Sequence, residues 1–144
     1  MTALRFPFDK SPSEIFGYVY RPQAKVDFWS QKINAWVGVI MIVDTGADYT
    51  LLPRFYAMDL GIDLKKECKV HWTGGIGGRE KVYLFREAKV KIGKWERIVP
   101  IGFLDRDGIP PLLGRQGFLE TFKVTFVSHS TSFSELRQAK KRKQ

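Results

Sequence analysis

An apolar run in the first third of the chain leads directly into a short acidic turn. The run covers residues 36–43, and it is followed by Asp44, Thr45, Gly46, Ala47 and Asp48. Such a run without a charged residue predicts a buried strand. Gly46 allows a tight turn after the strand, because glycine adopts backbone angles that other residues avoid. The strand and the turn together place the carboxylate of Asp44 at the floor of a cleft.

The rest of the chain has the pattern of an all-β domain. Short runs rich in Val, Ile, Phe and Trp recur between Gly, Pro and Asp residues, and few stretches keep a helical period. Two helical pieces are expected, one over residues 54–60 with Gly61 as its stop and one over residues 115–121. The predicted strands cover residues 15–20, 24–31, 36–44, 69–73, 81–92, 95–103 and 122–127.

Composition divides the chain into three parts. Its 144 residues suit one domain with its own core. We expect an N-terminal segment over residues 1–20, a compact domain over 21–127 and a C-terminal part over 128–144. Residues 128–134 are rich in Ser and Thr and predict a linker. The basic tail after it contains Arg137, Lys140, Lys141, Arg142 and Lys143. With a net charge of +9, this tail favours an anionic partner, although a solvated tail is the commoner explanation.

The sequence predicts a cytoplasmic protein. No apolar run approaches the roughly 18 residues that span a bilayer, and residues 1–10 lack a signal-peptide pattern. Cys68 is the only cysteine, so no intrachain disulfide can form. We therefore expect no membrane partner.

Two further motifs follow the acidic turn along the chain. The first is the glycine-rich segment 74–78, and the second is the Pro-Pro-Leu-Leu-Gly-Arg segment 110–115. In this order the three segments resemble the active-site loop, the flap and the second inner strand of the retropepsin-like aspartic proteases. The helical piece at 54–60 is similar to cellular and bacterial members and is absent from compact viral ones. The resemblance implies a closed, mostly antiparallel β-barrel with a flap hairpin and a short C-terminal helix, assembled as a two-fold homodimer.

The resemblance also assigns roles to individual residues. The Asp-Thr-Gly segment 44–46 would be catalytic. Asp48 would receive substrate main-chain N–H groups and pair with Arg115, whose planar fork suits a carboxylate. Gly114 would let the segment of Arg115 pack closely on the turn. The expected substrate-binding residues are Ala47, Asp48, Leu51, Gly75, Ile76, Gly77, Pro110 and Leu112.

A single Asp-Thr-Gly is half of a catalytic pair. Peptide hydrolysis without a metal or a covalent nucleophile needs a base that activates water and an acid that protonates the amide nitrogen. Two carboxylates about 3 Å apart meet both needs, because they cannot both ionise and so share one proton. The chain has no second copy of the motif, so a two-fold dimer must bring two copies of Asp44 together. We therefore expect an aspartic endopeptidase that acts on peptides or proteins, with no cofactor and no metal.

Other interpretations remain open at this point. The chain could be a retropepsin-fold module that binds peptides or dimerises without useful turnover. It could also be a basic β-barrel that binds nucleic acid through its four Trp residues. Cys68 and His71 have a metal-like spacing, but His129 is the only other histidine and the four ligands of a structural zinc site are not visible.

Overall fold

The structure, a computed structural model, describes residues 3–75 and 78–136. Its strands are β1 (Leu4–Pro7), β2 (Asp9–Ser13), β3 (Gly17–Arg21), β4 (Gln23–Ser30), β5 (Ala35–Val43), β6 (Thr50–Leu52), β7 (Lys69–Gly75), β8 (Gly78–Ile92), β9 (Trp95–Leu104), β10 (Leu112–Leu113), β11 (Phe122–Val127) and β12 (Ser130–Glu135). The helices are α1 (Phe55–Leu60), α2 (Leu64–Glu67) and a 3-10 turn over Leu119–Thr121. The prediction of an all-β chain with few helices is confirmed.

Seven strands form one sheet in the order β4-β5-β10-β6-β9-β8-β7. Most neighbours are antiparallel, but β10 runs parallel to β5, and β6 runs parallel to β9. The sheet curls, so that β4 also pairs with β8 where Asp27 faces Lys91 and Phe28 faces Val90. The short strand β10 lies between β5 and β6. It therefore lies beside the end of β5, where the acidic turn begins.

The core fills the inner side of this curled sheet. Ala24, Val26 and Phe28 alternate along β4 and are buried, as are Ile101 and Phe103 in β9. Full burial of a large apolar side chain stabilises the fold by about 1.5–3 kcal/mol. A slip of one residue in a strand would turn its apolar side chains outward. The alternation therefore fixes the register of the strands that lead to the site.

Helix α1 ends at a glycine, as predicted for residues 54–60. Gly61 has a φ of 70°, in the left-handed region, and its N–H bonds back to the last turn of the helix. A Cβ at this position would lie 2.7 Å from the backbone nitrogen of Lys32. The glycine is therefore required both by its backbone angle and by the space around it.

The predicted helix over residues 115–121 is wrong. The first two N–H groups of this segment donate to the carbonyls of Ala47 and Asp48, at 3.1 and 2.8 Å. Gly117 then takes a φ of 68° and breaks the path of a helix. Only the 3-10 turn at Leu119–Thr121 remains of the predicted C-terminal helix.

The predicted linker over residues 128–134 is also wrong. Strand β12 pairs with β11 on one side and with β1 on the other, giving a sheet of three strands. Thr131 and Phe133 of β12 are fully buried, and the ring of Phe133 packs edge-on against Phe6 and Phe122. Burial alternates with the two-residue period of a strand. The high content of Ser and Thr made this segment resemble a linker in the sequence.

The N-terminal segment predicted over residues 1–20 carries regular structure. Strand β1 joins the three-stranded sheet, while β2 and β3 form a separate hairpin. The strand predicted over 15–20 corresponds to β3, because residues 14–16 form the turn of that hairpin. The basic residues 137–144 lie outside the described part of the chain. None of the helices in the described part is long and apolar enough to cross a membrane.

Candidate active site

The acidic turn begins where β5 ends. The backbone N–H of Asp44 donates to the carbonyl of Leu113 at 3.0 Å, which extends the pairing of β5 with β10 up to the aspartate. Oδ1 of Asp44 accepts the N–H of Gly46 at 2.9 Å. The carbonyl of Asp44 accepts the N–H of Ala47 at 3.1 Å. These bonds fix the direction of the half-buried carboxylate from within its own turn.

Gly46 and Ala47 leave little side-chain bulk around the carboxylate of Asp44. A Cβ at Gly46 would lie 3.3 Å from Oδ1 of Asp44, closer than nearly all such contacts in proteins. Thr45 and Gly46 are exposed, and Ala47 is half-buried. The turn is therefore accessible to a ligand on its exposed side, while hydrogen bonds within the turn orient the carboxylate of Asp44.

Arg115 ties the turn together at two points. Its Nη2 is 2.7 Å from Oδ1 of Asp48, and its Nη1 donates to the carbonyl of Thr45 at 3.0 Å. The side chains of Arg115 and Asp48 are 49% and 83% exposed. An ion pair exposed to this degree contributes little to stability. We interpret its role as geometric, because the planar guanidinium holds two points of the turn at a fixed separation.

Gly114 brings β10 against the segment after Asp48. Its N–H donates to the hydroxyl of buried Thr50 at 3.2 Å. A Cβ at Gly114 would overlap the carbonyl carbon and oxygen of Tyr49. No other residue fits here without moving the backbone, so the spacing between the turn and Arg115 depends on this glycine.

The residues expected to bind substrate differ in exposure and in their position relative to the turn. Leu51 and Leu112 face each other across the pairing of β6 with β10, and both are half-buried. Pro110 is exposed just before β10. Gly75 pairs with Gly78 at the end of the β7–β8 hairpin. Ile76 and Gly77, the predicted tip of that hairpin, lie outside the described residues.

An open groove of about 490 Å³ begins next to the turn. It is lined by Tyr49, His71, Trp72, Thr73, Leu84, Arg86, Pro100 and Gln116. Tyr49 and Gln116 directly follow Asp48 and Arg115, so the groove runs from that ion pair toward the β7–β8 hairpin. Burial, and then the charge of Asp48, raise the pKa of Tyr49.

Most residues of this groove are not among those predicted from the sequence. His71 and Thr73 lie two residues apart in β7 and therefore share one face of the hairpin. Arg86 and His71 are the only lining residues that can carry a positive charge, and none of the eight lining residues is acidic. The period-two pattern of β7 could have identified the inner face, but the register of β8 with β9 was needed to add Arg86 and Pro100.

Neither a nucleophilic cysteine nor a metal centre receives support from the geometry. Burial, with further contributions from Glu67 and Asp63, raises the pKa of Cys68 to about 11. Its thiol is therefore protonated at neutral pH and is a poor nucleophile. Within residues 3–75 and 78–136, no group of three or more His, Cys, Asp or Glu side chains is placed to hold a metal ion.

The Trp residues have structural neighbours. Trp95 packs on Phe122 in the core with ring centroids 5.4 Å apart. Trp29 and Trp36 meet edge-on at 5.4 Å, and Nζ of Lys89 lies over both rings, at 5.2 and 5.4 Å. These two rings thus already have a cationic partner within the chain.

Comparisons with known proteins agree with this geometry. The family model described as aspartyl protease matches residues 31–116, which is more than half of the chain. No curated protein matches the chain in sequence. Among solved structures, a retropepsin-like aspartic protease from Rickettsia conorii is similar, with a TM-score of 0.64 and 22% identity over 92% of this chain and 98% of that one. The fold is therefore retropepsin-like.

Proposed function

The chain belongs to the aspartyl protease family, and we propose that it is an endopeptidase whose catalytic pair consists of Asp44 from two copies of the chain. The observation that carries the proposal is the position of Asp44. The end of β5 delivers its carboxylate to an open turn, where the N–H of Gly46 orients it. Because the chain has one Asp-Thr-Gly, a second copy has to supply the other carboxylate.

In the proposed reaction the two carboxylates share one proton. The ionised carboxylate takes a proton from water as the water oxygen attacks the scissile carbonyl carbon, and the protonated carboxylate gives its proton to the carbonyl oxygen. The resulting gem-diol collapses when one carboxyl protonates the amide nitrogen and the other takes a proton from a diol hydroxyl. The C–N bond breaks, a carboxylic acid and an amine leave, and the pair again holds one proton.

The proposed substrate is an extended peptide that binds as an added strand between the turn and the β7–β8 hairpin. Main-chain hydrogen bonds would give affinity, and pockets for alternate side chains would give selectivity. Asp48 is exposed and paired with Arg115, which supports the proposal that its carboxylate accepts substrate N–H groups. The hairpin would act as a lid that excludes water, with Ile76 and Gly77 at its tip.

The groove beside Tyr49 would take one side chain of this peptide. Arg86 and His71 line it without a carboxylate among the other lining residues. Arg86 is exposed, so water weakens its attraction for a carboxylate, but its charge still attracts an acidic side chain and repels a basic one. We therefore propose that the groove favours an acidic side chain over a basic one.

A peptide library tests this function. Wild-type protein, Asp44→Asn and the control Asp59→Asn would be incubated with the library over a range of pH, with and without EDTA and a statine-type transition-state inhibitor. Asp59 is exposed on α1 and outside the site. Wild type and Asp59→Asn should cleave peptides, with acidic residues enriched at one position, and the inhibitor should stop cleavage while EDTA should not.

Asp44→Asn keeps the shape of the side chain but cannot act as the base, so cleavage should fall by orders of magnitude. Peptides that bind without cleavage by wild type at every pH would instead support a binding module. Retained activity in Asp44→Asn, or activity lost with EDTA, would contradict the aspartic mechanism.

A further inference from the structure

The β2–β3 hairpin forms a sheet of its own, and we call this hairpin the arm. Among the described residues, β2 and β3 pair only with each other. A hairpin of two strands is marginally stable in water on its own. The two residues at its tip, Ile15 and Phe16, are 83% and 75% exposed. The apolar side chains at the tip of the arm are therefore not covered by contacts within the hairpin.

Apolar side chains are exposed along the arm. We define the arm patch as Ile15, Phe16, Tyr18 and Tyr20, which are four of the fourteen large apolar side chains that are exposed among the described residues. Clustering of this kind is uncommon on monomeric soluble proteins and marks an interaction surface.

The base of the arm is fixed to the domain. The ring of Tyr20 stacks on that of His129 with centroids 4.0 Å apart and planes 6° from parallel. The N–H of Phe8 donates to the carbonyl of His129 at 2.8 Å, and the rings of Phe8 and Phe126 meet edge-on at 6.2 Å. These contacts therefore hold the base of the arm against the end of β11.

The arm leaves the domain next to the catalytic turn. Pro22 follows β3, and its carbonyl accepts the N–H of Val43, the residue before Asp44, at 2.9 Å. In a two-fold pair the two Asp44 carboxylates meet near the axis, so the root of the arm is also close to the axis. Strands of five residues extend about 17 Å, which is enough to reach the partner from there.

The terminal strands are already paired within one chain. Strand β12 lies between β1 and β11 in the same copy, so it has no free edge for a strand of another copy. Among the described residues, the free edges of this sheet are those of β1 and β11, and the arm is a contact surface separate from both.

We propose that the arm patch binds a second copy of this chain and thereby brings the second Asp44 to the active site. This inference rests on the proposed function for the identity of the partner, because the site is incomplete without a second copy. With 150–250 Å² for each aromatic side chain, the exposed parts of the four residues come to roughly 500 Å². Two such patches would bury about 1,000 Å², the size of a weak interface. The dimer is thus expected to dissociate on dilution.

Matched charge substitutions test the interface. Phe16→Glu places a carboxylate in the arm patch, and Met58→Glu places one at a site of similar exposure on α1, 72% against 75%. Sedimentation equilibrium should show a dimer dissociation constant at least tenfold higher for Phe16→Glu and an unchanged one for Met58→Glu. Thermal melting at a concentration where all variants are monomeric should show that each remains folded.

Hydrogen exchange supplies a second measurement that needs no variant. In wild-type protein, the amides of residues 14–20 should exchange more slowly above the dissociation constant than below it, with no such change over α1. A wild-type protein that remains monomeric at its highest soluble concentration would overturn the proposal, as would a Phe16→Glu variant that dimerises as wild type does. Both measurements can be repeated in Asp44→Asn. A dimer that depends on the arm patch but never cleaves a peptide would leave this inference intact and would reject only the proposed function.

Discussion

At the scale of single residues, Gly114 sets how closely β10 approaches the acidic turn. Its α-carbon has no room for a methyl group, because a Cβ would overlap the carbonyl of Tyr49. Gly114→Ala should therefore lower the free energy of unfolding by about 1–3 kcal/mol and reduce hydrolysis, because the turn has to move. Gly108→Ala is the control, since a Cβ there meets nothing within 4 Å. Equal melting temperatures for the two variants would contradict this prediction, because they would show that the protein accommodates the added Cβ without loss of stability.

Arg115 gives a prediction that separates geometry from stability. Arg115→Lys replaces the fork that reaches Asp48 and Thr45 with a single ammonium group, which cannot make both contacts in the same way. Hydrolysis should fall at least tenfold, while the melting temperature should change little because the pair is exposed. Arg54→Lys is the control, since the Arg54 side chain is as exposed as that of Arg115, 51% against 49%, and pairs with Asp105 at 2.6 Å. Equal hydrolysis by the two variants would argue against a positioning role for Arg115.

Cys68 gives a prediction with a pH dependence. Burial raises the pKa of its thiol from 9.0 to about 11, so the folded protein should react with iodoacetamide about a hundredfold more slowly near pH 8 than an ordinary cysteine does. The folded state holds this proton more tightly than the unfolded state. The resulting loss of stability should be absent below pH 9 and should grow as pH rises toward 11. Alkylation at the rate of a free thiol would contradict this.

At the scale of elements, β12 separates two truncations that look similar in the sequence. A chain that ends at Val127 loses β12 and the fully buried ring of Phe133, and loss of a buried Phe side chain costs about 3–5 kcal/mol. This chain should melt at a clearly lower temperature or fail to fold. A chain that ends at Leu136 keeps every described strand and is the control. Equal melting temperatures would show that β12 does not support the domain.

Elements with a strong apolar period could be predicted from the sequence, and the others could not. Strands β4, β5, β8 and β9 were found to within a few residues, because their apolar side chains alternate or run together. In β12 only Phe133 is a large apolar residue, so the Ser-rich segment gave no signal of burial. The helix expected at 115–121 is absent because Gly117 takes a φ of 68°, in the left-handed region, where a right-handed helix cannot continue.

The candidate site was only partly predictable. Residues close together in the sequence, such as Asp44, Thr45 and Gly46, were identified from the motif and its resemblance. The pairing of Asp48 with Arg115 was also anticipated, since the resemblance joined the two motifs. The groove depends on the register of three strands, and no single motif carries His71 and Arg86 together. The pairing register of strands that are far apart in the sequence could not be predicted from the sequence alone.

At the scale of the whole molecule, the proposed enzyme consists of two copies of the chain. In this proposal each copy contributes one Asp44, and the arm patch supplies a modest contact area between the copies. Specific activity should therefore rise with protein concentration, and the dissociation constant from activity should equal that from sedimentation. The rate should also pass through a maximum as pH changes, because only the pair with one shared proton is active.

The most direct test mixes wild-type protein with Asp44→Asn at constant total concentration and measures peptide hydrolysis after the copies have exchanged. If one active site needs Asp44 from two copies, mixed dimers are inactive. Activity should then follow the square of the wild-type fraction. Activity that falls in simple proportion to the wild-type fraction would show that each chain works alone, and would contradict the shared catalytic pair.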